Sequence, residues 1–318
     1  MTSVKIRRQN FSMPSDWPQV SGYVLAEAGA RPQNILEEII WHKEKEVSAQ
    51  MLKLPYAVLS RKVTTMPPPK DFLSAIRLPM ASATVDAIPA AVGQRQSVKL
   101  IAEVKKASPS KGVIRADFDP VSIAQSYEQG GASCLSVLCD RAFFQGSFEY
   151  LTEVSRQVGL PVMCKEFIIS PYQLWQARAA GADAVLLIVA VLCDQDLQDL
   201  HSLAAQLGMR VLVEVHTLEE LDRALALPGI ALLGINNRNL EDFSVSVKNT
   251  QTLIEAKYEQ IAQKGITVVS ESGIYSTEDL EFVGSLGVGA VLVGESLVRQ
   301  VDIAGATQRL LERKEGKQ

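Results

Sequence analysis

Eight short runs of aliphatic and β-branched residues punctuate this chain from residue 98 onward: VKLIAEV, ASCLSVL, PVMCKEFI, ADAVLLIVAVL, RVLVEV, ALLGIN, TVVSES and AVLVGES. They recur roughly every 25 residues, the length of one strand–helix unit. Between them lie stretches with helical patterning, such as 122–129, 171–180 and 196–207, and Gly130-Gly131, Gly181 and Gly208 stand where these stop. That is where a helix C-terminus calls for glycine. Near-continuous apolar strands alternating with helices specify a parallel sheet covered on both faces. An open sheet of that kind usually carries a GxGxxG phosphate loop after its first strand, and none follows 100–104. The pattern predicts a closed (β/α)8 barrel of the TIM type, occupying residues 98–318.

The residues ahead of the barrel read differently. Residues 1–34 contain Pro and Gly breakers with little periodicity and form an extended preface. From Asn34 onward, Ile35, Ile39, Ile40, Val47 and Leu52 fall at helical spacing, with Asn34 as N-cap and Glu37 placed for a capping box. A second short helix, 71–76, follows Met66 and its three prolines, and 81–95 reads as a connector. Residues 35–97 are therefore expected to form a helical extension packed on the barrel mouth.

Composition removes several function classes. With a net charge of −4 and no basic stripe, the chain is not built for nucleic acid. A small anion must be held by local groups, since the global field is slightly repulsive. The longest apolar run, 184–193, is about half the roughly 20 residues that cross a bilayer, so no membrane partner is expected. Cys134, Cys139, Cys164 and Cys193 include no CxxC pair, and His42, His201 and His216 are scattered, so neither a disulfide framework nor a metal site is expected. Trp41-His42 reads as a packed helix face, the acidic cluster 194–199 as a solvated helix start, and 312–318 as a frayed tail. The compartment implied is reducing and cytoplasmic.

In a barrel of this kind the chemistry gathers at the C-terminal ends of the strands. In the first run, alternation puts Glu103 and Lys105 on the face of Ile101, the barrel interior. The third run ends at Lys165-Glu166-Phe167, the fifth carries Glu214, the sixth ends at Asn236-Asn237-Arg238 and the seventh at Glu271-Ser272-Gly273. One charge at a strand end simply reaches solvent. Lysines and glutamates at matching positions of several strands converge on one mouth instead, where they perturb each other as acid–base chemistry requires.

A phosphate seat is legible beside them. Barrels often hold phosphate with the loops after strands seven and eight and a short extra helix. Here those loops are Ser272-Gly273 and Gly294-Glu295-Ser296, and glycine lets backbone N–H groups approach an anion. The loop ASPSKG at 107–112 adds the Ser108 hydroxyl and the Lys111 cation.

These motifs resemble the indole-3-glycerol phosphate synthase family. IAEVKKASPSKG at 101–112, CKEFI at 164–168, GINNRNL at 234–240 and SESGI at 270–274 carry the resemblance, which runs in order from about residue 35 to the end. The preface is similar to that of cyanobacterial members. The resemblance implies Lys165 as general acid, Glu214 as the opposing acid/base, and Glu103, Lys105 and Asn236 as the rest of the catalytic set. It further implies that Arg238, Glu271 and Ser272 bind substrate, that Phe144, Phe167, Leu186 and Leu240 form apolar walls, and that Ser108, Gly273, Gly294 and Glu295 surround the phosphate. The family often carries a small residue where Glu295 stands here.

The implied reaction is ring closure, decarboxylation and dehydration of 1-(2-carboxyphenylamino)-1-deoxyribulose 5-phosphate, a step of tryptophan biosynthesis. It asks for a proton on the ketone oxygen, a second acid for loss of water, and a base. Two lysines and opposed glutamates meet that need with no metal or organic cofactor. The partner is a small molecule, and the reading allows transient contact with other enzymes of the pathway. The rivals are a phosphoribosyl isomerase-type barrel, built on Asp or Cys/Asp pairs, and a non-catalytic sugar-phosphate-binding barrel.

Overall fold

The structure, a computed structural model, describes residues 6–9, 23–77, 98–239 and 243–312. The connector read at 81–95 and all but the first residue of the tail lie outside the described residues. Ten strands follow in chain order. They are β1 (Lys99–Val104), β2 (Ala107–Ser108), β3 (Gly112–Val113), β4 (Cys134–Leu138), β5 (Val162–Lys165), β6 (Ala184–Ile188), β7 (Arg210–Val215), β8 (Leu232–Asn236), β9 (Thr267–Glu271) and β10 (Ala290–Val293). Eight close into a parallel barrel in the order β1-β10-β9-β8-β7-β6-β5-β4, and β2 and β3 make a small antiparallel hairpin beside it. Closure runs through β1, which pairs with β10 (Lys99↔Ala290) on one side and with β4 (Ile101↔Cys134) on the other.

The strands form where the apolar runs lack alternation. Cys134–Leu138 and Ala184–Ile188 are buried at every position, one face toward the barrel interior and the other toward the helical layer. Each return to the barrel is punctuated locally. Asp119, Ser147, Ser170 and Thr217 accept N–H groups of the first helical turn, and Pro120 and Pro171 open their helices where no donor is needed. Ser276 and Asp279 form a complete capping box. Gly181 stops its helix at φ +97°.

Among the described residues, three helices precede the barrel: α1 (Ile35–Lys53), α2 (Tyr56–Thr64) and α3 (Phe72–Ile76). Asn34 caps α1 as its sequence predicts, accepting the Glu37 N–H at 2.9 Å. Glu37 does not turn back on Asn34 as a capping box would. Its carboxylate accepts the Gln33 N–H at 2.7 Å and both the backbone and the guanidinium of Arg7. Helix α2 is missing from the sequence expectation, because its apolar face, Tyr56, Leu59 and Val63, spans only two turns and Leu59 alone is buried. It packs with Val47 of α1 against Tyr172 and Ala179 of the helix that follows β5.

The described part of the preface is tied down by charge. Arg8 meets Glu44 of α1 at 2.6 Å with both side chains buried, and its guanidinium lies over the Tyr23 ring at 4.6 Å. Tyr23 donates to Asp196 at 2.6 Å and accepts the Cys193 N–H at 3.0 Å. The cluster at 194–199 is thus not a fully solvated helix start. Asp196 anchors the N-terminal arm, and Asp194 pairs with Arg223 at 2.6 Å.

Removing one partner of a buried pair leaves the other charged and dry. Arg8→Met should therefore destabilise the fold by about 3–5 kcal/mol, and Arg8→Met/Glu44→Gln should recover most of it. Urea midpoints of the three proteins check this. Equal losses in the single and double variants would mean that Glu44 reaches water.

Candidate active site

The C-terminal ends of the barrel strands surround one pocket. Glu103, Lys105, Lys165, Glu214, Asn236 and Arg238 line it together with Ser108, Phe144, Phe167, Leu186, Ser272, Gly273, Gly294 and Glu295. Glu271 lies at the same end, bonded to Lys165. All the site residues read from the sequence meet here except Leu240, which lies outside the described residues. Lys111 also departs from the reading. It is exposed at the turn of the β2–β3 hairpin, where Gly112 at φ +65° reverses the chain, and only Ser108 of that loop's two polar contributions reaches the pocket.

Lys165 is the electrostatic centre. Its ammonium sits 2.7 Å from Glu271 Oε2 and 3.5 Å from Glu214 Oε2. Burial alone would push this lysine down, but Glu271, Glu214 and Glu103 together hold it above the usual lysine range, so it enters any reaction protonated. Burial pushes Glu271 up to about 8, with Glu214's charge adding to the effect. Glu214 is held below the carboxylate range against its own burial, by Lys165 first and His216 next, with hydrogen bonds from Glu271 and Asn236. The two carboxyls titrate as a pair, Glu271 pushed up and Glu214 held down. On the opposite side Lys105 meets Glu103 at 2.6 Å. Burial raises Glu103, but Lys105 and Lys165 outweigh it and keep the group ionised.

Small residues make this arrangement possible. A Cβ on Gly234 would strike Glu271 Oε1, and one on Gly294 would meet Glu103 Oε1. These glycines are the space into which the two acids fold.

The β9–β10 end has different character. Ser272 and Gly273 are consecutive residues in the left-handed region, at φ +66° and +82°. Asn237 holds that turn, its amide donating to Ser270 Oγ at 2.9 Å and to the Ser272 carbonyl at 3.0 Å. Across the pocket the Ser108 hydroxyl is buried with no protein partner among the described residues. Glu295 turns its carboxylate onto Arg299 at 2.9 Å, which relieves its conflict with an anion at this end.

Three contributors escaped the sequence reading. The sequence predicts the helix that begins at Ile35 over the barrel mouth, but it does not single out Ile35, Leu36 and Ile39, which line the pocket. His216 is buried against Glu214 at 3.4 Å and Glu220 at 3.2 Å rather than lying among scattered histidines. The available signal was its position two residues beyond Glu214, on the same face of the strand. Lys43 bonds Asp140 at 2.9 Å and Glu166 at 3.0 Å, and its signal was a charge on the apolar face of α1.

Glu271's pKa is above its ordinary value, so the folded protein keeps a proton that the unfolded chain releases. Its contribution to stability is whole below the unfolded pKa of 4.5 and is lost as pH rises through about 8. Glu271→Gln should flatten the fall of Tm between about pH 4.5 and about pH 8. A slope there equal to the wild type's would assign that titration to another group.

A sequence model described as indole-3-glycerol phosphate synthase matches residues 36–310. An indole-3-glycerol phosphate synthase of Microcystis aeruginosa is 52% identical over 309 residues, covering 97% of this chain and 99% of that one. Another, of Trichodesmium erythraeum, is 52% identical over 288 residues, covering 91% and 92%. Among solved structures, a mutant tryptophan synthase α-subunit of Pyrococcus furiosus matches with a TM-score of 0.50 at 13% identity, over 69% of this chain and 99% of that one. That last likeness concerns the barrel fold alone.

Proposed function

The chain belongs to the indole-3-glycerol phosphate synthase family, and from that premise we propose how its barrel mouth divides the work of the reaction. The activity is that of a carboxy-lyase of tryptophan biosynthesis. It closes, decarboxylates and dehydrates 1-(2-carboxyphenylamino)-1-deoxyribulose 5-phosphate to indole-3-glycerol phosphate, carbon dioxide and water. The observation that carries the assignment of roles is the Lys165 ammonium between Glu214 and Glu271. It is a proton donor kept charged in a buried, largely apolar pocket.

The substrate's phosphate sits at the β9–β10 end, against the Ser272-Gly273 and Gly294-Glu295 backbones and the Ser108 hydroxyl, which is buried and open to a partner. Its aromatic ring lies toward Phe144, Phe167 and Leu186. Arg238 attracts the ring carboxylate and Asn236 orients Glu214. The ring carbon bearing the carboxylate attacks the ketone carbon, and Lys165 gives its proton to the ketone oxygen as that bond forms. The bond to the carboxylate then breaks, carbon dioxide leaves, and its electrons restore the aromatic ring. Lys105, held by Glu103, protonates the departing hydroxyl, and Glu214 takes the proton whose loss completes the indole. Glu271 keeps Lys165 in place. Helix α1 covers the mouth, with Ile35, Leu36 and Ile39 excluding water, whereas α3 lies at the opposite end of the barrel, where Phe72 meets Cys134 and Asp71 meets Arg210 at the starts of β4 and β7. No helix among the described residues is long and apolar enough to cross a membrane, and the doubly anionic phosphate of the substrate is retained in a cytoplasm, which is where we place the enzyme.

Appearance of indole absorbance and fluorescence on mixing the purified protein with the substrate tests the activity. The roles are separated by single-turnover rapid quench. Lys165→Met should lower the rate about 10²–10⁴-fold and yield no ring-closed species. Lys105→Met should accumulate a decarboxylated, still-hydrated intermediate. That intermediate in the Lys165 variant instead would reverse the assignments.

Gly273→Ala tests the phosphate seat. An added Cβ would adopt an unfavourable backbone and meet Val245 at 2.8 Å. KM should rise at least tenfold, about the effect of one lost charge-assisted hydrogen bond, with kcat little changed. A collapsed kcat at unchanged KM would remove the glycine from this role.

A further inference from the structure

Lys43 lies outside the pocket, yet it connects every surface that forms the pocket's aromatic end. It stands on α1, where Leu36, Ile40 and Lys43 share the buried face while Ile35, Leu36 and Ile39 line the pocket. Its ammonium reaches Glu46 at 2.6 Å, Asp140 at 2.9 Å and Glu166 at 3.0 Å, with Asp140 and Glu166 both buried. Each of these acids holds a loop by its backbone. Asp140 accepts the N–H groups of Phe143 at 2.7 Å and Phe144 at 3.2 Å, and Glu166 accepts that of Phe167 at 2.7 Å. The Phe144 and Phe167 rings are 5.9 Å apart, and His42 of α1 meets Phe143 edge-on at 5.6 Å.

Stability alone does not call for such a cluster, since well-packed apolar residues replace buried ion pairs without loss. What the ammonium supplies is geometry. It fixes the distance from one helix to two loops that share no backbone hydrogen bond with it.

We propose that Lys43 is a positioning residue for aryl recognition: it holds α1 and the Phe144 and Phe167 loops in one mutual register, so that they close on the planar ring of the substrate. The phosphate seat, at the β9–β10 end, lies outside its reach. The proposal rests on the functional reading above for the identity of the ring.

The test compares two probes of different reach. One is the substrate with its ketone reduced to an alcohol, which keeps the aryl group and cannot react. The other is ribulose 5-phosphate, which has no ring. Lys43→Met alone leaves two buried carboxylates facing each other, so the working variants are Lys43→Met/Glu166→Gln, which removes one of those charges, and Asp140→Asn, which keeps an acceptor for the loop while breaking the ion pair. In both, affinity for the aryl probe should fall by at least about tenfold, the range expected when an apolar pocket loses its fit. Affinity for ribulose 5-phosphate should stay within about twofold. Equal weakening of both probes, or of neither, in either variant would overturn the positioning role. The wild type keeps the two readings apart. If it binds the aryl probe no better than ribulose 5-phosphate, the functional reading itself fails. If it discriminates and the variants discriminate equally well, only the role of Lys43 fails.

Discussion

Closure of the sheet through β1, which pairs with both β10 and β4, is the constraint on which the rest depends. A closed parallel sheet has no free edge, and it delivers the C-terminal end of every strand to the same rim. A residue that ends a strand therefore meets its counterparts from strands far away in the chain. Lys165 on β5 and Glu271 on β9 are 106 positions apart, yet they are bonded at 2.7 Å. An interior lined by packed side chains offers these charges little water. Each must find its opposite or give up its charge, and the divergent behaviour of Glu214 and Glu271 follows from that necessity.

The barrel and most of the rim were legible because both are written in short-range periodicity. Eight apolar runs gave the strands, alternation within the first placed Glu103 and Lys105 on the interior face, and the strand-end positions of Lys165, Glu214 and Glu271 brought them to the same mouth. What escaped was information carried by pairing across long separations or by weak local pattern. Helix α2 has one buried residue and an apolar face only two turns long. Glu37 was readable as half of a capping box, yet its carboxylate is claimed by Arg7, thirty positions earlier. The acidic start at 194–199 looks solvated until Tyr23, at a separation of 173, binds Asp196. Sequence spacing shows which way a side chain points along its own element, and it does not show which distant partner waits there.

The two ends of the pocket hold their shape by different means. At the β9–β10 end the geometry is set by backbone, with Ser272 and Gly273 forced into the left-handed region and pinned by Asn237. At the other end it is set by side chains from α1 and two loops, connected through buried ions. The first arrangement is rigid because a turn has few alternatives. The second stays in place only while its charges balance.

Lys165 and Glu166 are neighbours in the chain, yet they serve separate circuits. Period-two alternation sends Lys165 inward to Glu271, Glu214 and Glu103, and Glu166 outward to Lys43 and Asp140. Apart from burial, the largest forces on each group come from its own set. Burial raises Glu166 to about 7, against the pull of Lys43. A single residue inserted into β5 would cross the wires, bringing a carboxylate to the barrel axis and an ammonium to the helix.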